Sequence, residues 1–379
     1  ALAWSVQGQS IPFISGFSPN SGYSCEVITI SGYNFESGLH VFFGAVEGSV
    51  INVTDQLIEV EVPAGATFDH LAVINPTGRV GYSREKFLPS FGGSPGISAA
   101  DFAPQVDLSL NSGLFDVCLC DLNGDGNAEI ITTNSGTNKV DILTNNSTVS
   151  SLSFSRQEIT LPSNTLNVSC GDLNGDAKPD LVFTEEGGGN GSKLFILQNN
   201  SGGSLSFSLI EYTIPGSATK RVAIRDMDFD GKADIVVTDQ SLPNVYIIKN
   251  TSNGAISLAP SPITLSVAGA NSTSGIAIDD FDGDRRPDIL VTQFLNGNGG
   301  FFVARNIGSA NVMSFSAFEK FNAPGAFFNV ITAKINNDDR PDVAGSQFTE
   351  NMMSLFGNTS NTPDLSFTNP SYRPSNLRP

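Results

Sequence analysis

One nine-residue pattern recurs along the C-terminal three quarters of the chain and constrains its fold more than any other feature. Asp121-Leu122-Asn123-Gly124-Asp125-Gly126-Asn127-Ala128-Glu129 returns as Asp172–Asp180, Asp226–Asp234 and Asp280–Asp288, with a weaker fifth copy at Lys334–Asp342. The second copy starts 51 residues after the first, and each later copy 54 after the one before (172 − 121; 226 − 172, 280 − 226, 334 − 280). Each copy lies between two apolar runs, such as Leu166 to Val168 and Leu181-Val182-Phe183. A third run follows (Val140 to Leu143, Leu194 to Leu197, Val245 to Ile248, Phe301 to Ala304, Met353 to Phe356), then an Asn turn at Asn145, Asn199, Asn250, Asn306 or Asn358. A fourth strand is expected at the recurring Phe154, Phe207, Leu258, Phe315 or Phe367. Four strands in about 54 residues make one propeller blade, so the repeats predict about five.

The residue types within the pattern point to a hard divalent cation, which takes about six to eight oxygen ligands supplied by alternate residues of a tight loop. The expected ligands are Asp121, Asn123, Asp125, Asn127 and Glu129 in the first loop, and Asp172, Asn174, Asp176, Lys178 and Asp180 in the second. Asp226, Asp228, Asp230, Lys232 and Asp234 serve the third, and Asp280, Asp282, Asp284, Arg286 and Asp288 the fourth. Position seven varies (Asn127, Lys178, Lys232, Arg286), as expected if only its main-chain carbonyl is used. Glycine at position four or six supplies the sharp bend. An EF-hand closes with Glu at position twelve between helices, whereas here the last acid is at position nine and leads into a strand. Three or four carboxylates within nine residues repel one another strongly without a cation, so ion binding becomes folding free energy. Four calcium ions are expected. In the fifth copy Lys334 replaces the first acid, and that loop is expected to hold none.

The N-terminal text is different. Val27-Ile28-Thr29-Ile30, Ile58-Glu59-Val60-Glu61-Val62 and Leu71-Ala72-Val73-Ile74 alternate between Gly, Pro and Asn turns, which predicts a β-sandwich. Pro12-Phe13-Ile14, Phe17-Ser18-Pro19-Asn20-Ser21-Gly22, Ile30-Ser31-Gly32-Tyr33-Asn34-Phe35, Val62-Pro63-Ala64-Gly65 and Asn75-Pro76-Thr77-Gly78 resemble an IPT/TIG immunoglobulin-like domain. That resemblance implies a spacer or adhesive module. The acidic repeats resemble the FG-GAP/VCBS calcium-binding propeller blades, also found in the integrin α-chain head. This second resemblance implies calcium loops that brace the blades away from the recognition surface. Propellers of that family commonly have seven blades, more than the chain after residue 97 holds. Five blades closing a small ring, a piece of something longer, or completion by a partner all stay open. Ala99 to Leu110 reads as an outer strand able to pair with the last repeat.

The expected organisation is all-β: an extension (1–10), an Ig-like sandwich (11–91), a Gly/Pro-rich linker (92–97) and propeller repeats (98–379). Among 379 residues, 38 acids against 20 bases give a net charge of −18, which disfavours nucleic acid as a partner. No run of about 18 apolar residues occurs, so no transmembrane segment is expected. The opening Ala1-Leu2-Ala3 reads as the end of a cleaved export signal or a cloning remnant, with export preferred. Both histidines, His40 and His70, precede the repeats, which removes Ser-His and Cys-His catalysis there. The expected function is therefore a non-enzymatic, secreted or cell-surface adhesion or binding protein stabilised by calcium. Its partner would be an extracellular protein or glycan, or further copies of itself. A structural subunit of an extracellular filament or surface layer is the first alternative. A polysaccharide-active enzyme using a carboxylate pair, or its accessory module, is the second.

Cys25, Cys118, Cys120 and Cys170 lack zinc spacing and read as small apolar strand residues, with a disulfide between the first two repeats as the alternative. Of nine N-x-S/T sequons (Asn52, Asn145, Asn146, Asn167, Asn190, Asn199, Asn250, Asn271, Asn358), several occupy the repeated turn, where Asn is favoured by its backbone geometry.

Overall fold

A computed structural model describes residues 11–90, 105–110, 112–148, 151–187, 191–216, 218–293, 299–323, 325, 327–336, 338–347, 352–368 and 371–374. The linker at 92–97, Ala1-Leu2-Ala3 and the sequon at Asn190 lie outside these residues. Every regular element described is a strand.

The N-terminal strands are β1 (Phe13–Ser18), β2 (Ser21–Gly22), β3 (Val27–Tyr33), β4 (His40–Phe43), β5 (Val46–Thr54), β6 (Leu57–Glu61), β7 (Asp69–Ile74) and β8 (Val80–Pro89), ordered β1-β3-β6-β5-β4-β7-β8-β2. The first half of β5 pairs with β4 and its second half with β6, with a register shift between Val50 and Asn52. One long strand thus serves two layers, as sandwich corners require. Alternation decides which side chains enter. Ile28, Ile30, Ile58 and Val60 are fully buried against Val41, Phe43, Leu71, Val73 and Phe87.

Five four-stranded antiparallel sheets follow, the blades that the repeats predict. Blade 1 is β9 (Leu114–Cys120), β10 (Glu129–Asn134), β11 (Lys139–Asn145) and β12 (Phe154–Thr160). Blade 2 is β13 (Thr165–Gly171), β14 (Asp180–Glu185), β15 (Ser192–Asn199) and β16 (Phe207–Ile214). Blade 3 is β17 (Thr219–Arg225), β18 (Asp234–Asp239), β19 (Asn244–Ile248) and β20 (Ile263–Ser266). Blade 4 is β21 (Ile276–Asp279), β22 (Asp288–Thr292), β23 (Gly300–Ala304) and β24 (Glu319–Asn322). Blade 5 is β25 (Phe327–Ala333), β26 (Asp342–Gln347), β27 (Met352–Phe356) and β28 (Ser371–Pro374). The middle strands of blades 2 to 4 are buried on both faces, and for that reason they read as unbroken apolar runs such as Leu181-Val182-Phe183 and Ile235-Val236-Val237. The outer strand β12 is mostly exposed and β16 half so.

The fourth strands depart from expectation. Asn145 pairs with Phe154 and Asn199 with Phe207 inside regular ladders, but Asn250–Leu258, Asn306–Phe315 and Asn358–Phe367 are isolated bridges, and β20, β24 and β28 begin later. Pro260 and Pro262 lie between the bridge and β20; proline lacks the N–H that a ladder needs. The residues between the bridge and β24 in blade 4 include no proline. Gln105–Leu110, part of the segment read as an outer strand, forms none.

Four apolar clusters join blade 1 to 2, 2 to 3, 3 to 4 and 4 to 5. Among the described residues no such cluster joins blade 5 to blade 1. The faces that would meet there carry Val117 at 62% and Ile331 at 63% exposure, with Leu119 and Met353 also exposed.

Candidate metal centres

Each repeated loop joins the innermost strand of a blade to the next, and its carboxylates are held by main-chain amides. Asp121, Asp172 and Asp280, at position one, accept the amide of position four through Oδ1 (Gly124, 2.8 Å; Gly175, 2.7 Å; Gly283, 2.8 Å). Their Oδ2 accepts the amide of position six, as does that of Asp226 (Gly126, 2.9 Å; Ala177, 2.8 Å; Gly231, 2.9 Å; Arg285, 3.0 Å). The chain must turn left-handed twice to do this. Positions four and six have positive φ in all four loops, including Ala177 (62°), Phe229 (58°) and Arg285 (71°), where a side chain makes the conformation costly.

The acid at position nine closes the loop from β10, β14, β18 or β22. One of its oxygens takes the amide of position two: Leu122 to Glu129 2.8 Å, and Leu173 to Asp180, Met227 to Asp234 and Phe281 to Asp288 each 2.9 Å. All four acids are fully buried. Burial pushes the Glu129 carboxyl up to about 7 and those of Asp180, Asp234 and Asp288 up to about 8. It pushes Asp226 up to about 7 and raises Asp121, Asp172 and Asp280 in the same sense. A divalent cation beside such groups opposes this shift by favouring their charged form.

The third and fourth loops converge most tightly. Carboxylate oxygens of Asp226, Asp228 and Asp234 lie within 4.8 Å of one another, as do those of Asp280, Asp282 and Asp288. Asp228 Oδ1 and Asp282 Oδ2 are buried with no hydrogen-bond partner; a cation ligand would remove that expense at Asp228 Oδ1, whereas Asp282 Oδ2 faces the Arg305 guanidinium at 3.8 Å. This donor set, all oxygen and strongly acidic, fits calcium. Asp230 and Asp284, at position five, stay outside these groups and accept the amides of Lys232 (3.0 Å) and Arg286 (2.9 Å). In the first two loops, Asn123 and Asn174 point Nδ2 to Asp125 (3.0 Å) and Asp176 (3.2 Å), whose Oδ1 atoms accept the amides of Asn127 (2.8 Å) and Lys178 (3.0 Å). At position seven, Lys178 Nζ donates to the Ser201 carbonyl (2.6 Å) and Arg286 Nη1 to that of Gly308 (2.9 Å), so in these two loops the main-chain carbonyl is the only oxygen the residue offers. In the fifth loop Lys334 Nζ lies 3.3 Å from Asp339 and 2.9 Å from Glu85 of the sandwich.

Sequence reasoning assigned the recurring Asn to a turn; the structure gives it a larger part. Asn199, Asn250, Asn306 and Asn358 are fully buried. Their Nδ2 atoms donate to the carbonyl of position two in the preceding blade's loop: Leu122 (2.9 Å), Leu173 (2.8 Å), Met227 (2.8 Å) and Phe281 (2.9 Å). Their own amides donate at 2.8 Å to the position-nine acids Asp180, Asp234, Asp288 and Asp342. Each therefore ties one ion loop to the next. The near-constant separation from the position-nine acid, 16 to 19 residues, was the signal available in the sequence. The sequons at Asn199, Asn250 and Asn358 thus have side-chain amides committed inside the fold.

The four cysteines are free thiols. Cys118 and Cys170, on adjacent blades, lie with sulfurs 3.6 Å apart, Cys120 is buried, and Cys25 departs from the buried-residue expectation by being exposed.

The sandwich lies across all five loops. Ala45 accepts the amide of Asp121 (3.1 Å), and Val80 donates to Gly231 (2.8 Å). Arg79 donates to the Asp230 carbonyl (2.6 Å) and Arg84 to Asp280 Oδ2 (2.9 Å), while Glu85 pairs with Lys334. Gly78 (φ 76°) meets Gly175 (φ 81°) so closely that a Cβ on Gly175 would lie 2.7 Å from the Gly78 carbonyl oxygen. Arg79, Arg84 and Lys86 are the only lysine or arginine residues before residue 91, and all three face the propeller; Lys86 reaches Thr332 at 3.1 Å. Arg225 answers from the propeller, stacked 4.1 Å over the Tyr82 ring.

Residues 12–87 match the family model described as the IPT/TIG domain, and residues 121–183, 172–237 and 226–291 match that described as the FG-GAP-like repeat. No curated protein matches. Among solved structures, an auxiliary nutrient binding protein from Bacteroides thetaiotaomicron aligns at 14% identity over 89% of this chain and 95% of its own, with a TM-score of 0.39. The corresponding protein from Bacteroides ovatus gives 11%, 95%, 86% and 0.38. A rhamnogalacturonan lyase from Bacillus licheniformis gives 13%, 90%, 73% and 0.37. Superpositions at this level assign neither fold nor function.

Proposed function

We propose that this chain, an IPT/TIG domain joined to FG-GAP-like repeats, is a non-enzymatic, calcium-stabilised binding or adhesion module that works outside the cytoplasm. The observation that carries this reading is the docking of the sandwich over the ion loops. The acidic surface is thereby framework, and recognition falls to the opposite face, where the turns after β10, β14 and β18 and the blade-to-blade connections differ from repeat to repeat. Bound calcium would be held by the carboxylates of the first four loops and would supply charge neutralisation there. Asp121, Asp172, Asp226 and Asp280 fix the turn, the position-nine acids tie it to the second strand, and the buried Asn residues pass that order to the next blade.

The test presents the purified chain, in calcium, to immobilised polysaccharides and extracellular proteins. Saturable binding without turnover supports the reading. Concentration-dependent growth of scattering mass into filaments favours the structural-subunit alternative instead. Release of sugar fragments, lost in an acid-to-amide variant outside the loops, would make it an enzyme.

A further inference from the structure

Position three of the ion loop is Asn in the first, second and fifth repeats (Asn123, Asn174, Asn336) and Asp in the third and fourth (Asp228, Asp282). The residue just before the buried Asn varies in step with it. It is Thr144, Gln198 and Gly357 where position three is Asn, but Lys249 and Arg305 where position three is Asp. The two positions meet in space. Lys249 Nζ hydrogen-bonds Asp228 Oδ2 and lies 3.4 Å from Asp230 Oδ2, and Arg305 Nη1 lies 3.8 Å from Asp282 Oδ2. Both aspartates are almost fully buried, whereas the cations are 30% and 27% exposed, so their stems reach inward from the rim. In the third loop the pairing leaves Asp228 Oδ1 buried and without a partner, free to face an ion.

The geometry points to Lys249 and Arg305 as tethered counter-cations that cap position three of the four-acid loops. An aspartate whose second oxygen is neutralised by an ammonium or guanidinium presents one acceptor oxygen and no net charge, which is what asparagine presents in the first two loops. The cap thus sets the charge met by the entering ion and keeps the fourth acid from destabilising the ion-free loop. Lys249 and Arg305 act as positioning and affinity-setting residues; neither is an ion ligand.

This inference rests on the calcium reading only in part, because the coupling between cap and aspartate exists without the ion. A double-mutant cycle of Lys249→Gln and Asp228→Asn tests it, the double variant reproducing the Gln198 and Asn174 pair of the second repeat. In chelator, Lys249→Gln is expected to lower the melting temperature in the parent but not in the Asp228→Asn background. On calorimetric titration with calcium, Lys249→Gln is expected to strengthen binding at this loop roughly tenfold, the size of effect for one unit charge a few ångströms away under near-surface screening. Asp228→Asn alone should weaken binding, and the double variant should return close to the parent. Additive effects in chelator, or a Lys249→Gln variant that matches the parent in both readouts, would overturn the cap. If the Asp228 variants fail to fold, the same cycle on Arg305→Gln and Asp282→Asn decides in their place. A parent that takes up no calcium while the chelator cycle still shows coupling would sink the calcium reading and leave the cap standing.

Discussion

At the scale of the residue, the side chain that does most for its size is the buried asparagine. Asn250 Nδ2 serves two carbonyls at 2.8 Å, Leu173 of blade 2 and Ala233 of its own loop, while its Oδ1 accepts the Ser252 amide at 2.9 Å. Replacing it by alanine leaves buried carbonyls without donors, so Asn250→Ala is expected to cost about 2 to 3 kcal/mol, read as a shift of the denaturant midpoint. An effect under half of that would show water taking over the latch. The loop aspartates were legible in the sequence because the repeat keeps oxygen-bearing side chains at alternate positions of the loop. The asparagine was only half legible. Its turn propensity explains its place in a hairpin equally well, and nothing local announces that its amide crosses to the neighbouring blade.

At the scale of the element, the ion loop is a turn that works against backbone preference. It places two residues at positive φ and gathers buried carboxylates, so its stability depends on what neutralises them. In the fifth loop Lys334 stands in place of the first acid and pairs with Asp339 and with Glu85 of the sandwich. Lys334→Asp restores the missing acid opposite Asn336, Asp338 and Asp342, and is expected to raise the calcium stoichiometry by one; an unchanged count would mean that more than the first acid is lacking. Strand positions were readable to within a few residues wherever both faces are buried, as at Leu181-Val182-Phe183. The fourth strands were not, because they pair on one side only, and prolines such as Pro260 and Pro262 defer pairing beyond the recurring apolar residue. The Gly78–Gly175 contact makes a further prediction. Gly175→Ala pushes a Cβ to 2.7 Å from backbone at a left-handed position and is expected to cost about 1 to 3 kcal/mol. Gly254→Ala, at positive φ in open space, isolates the backbone part of that cost.

At the scale of the whole molecule, the sandwich is a cap seated on the ion-loop face. No sequence pattern marks that arrangement, since Arg79, Arg84 and Lys86 sit on ordinary turn and strand positions and find their partners more than 100 residues away. Their meaning emerges only once the repeats have gathered five acidic loops on one face. Replacing all three by glutamine is expected to release the sandwich from the blades while both units stay folded. Small-angle scattering would then show a larger radius of gyration with little change in the blades' own melting temperature; an unchanged radius would mean that the apolar and glycine contacts suffice. The same seating explains why ion binding should be felt throughout. All five loops touch the sandwich, and the first four are each tied through an asparagine to the next blade, so order at one loop is passed along the array.

Counting the calcium ions bound by the chelator-stripped chain, with melting temperature followed in the same titration, tests this account most directly. Four ions per chain and a large rise in melting temperature as they bind are predicted, with Lys334 keeping the fifth loop empty. A chain that binds no calcium and melts at the same temperature with and without it would contradict the account, and five tightly held ions would contradict its assignment of the loops.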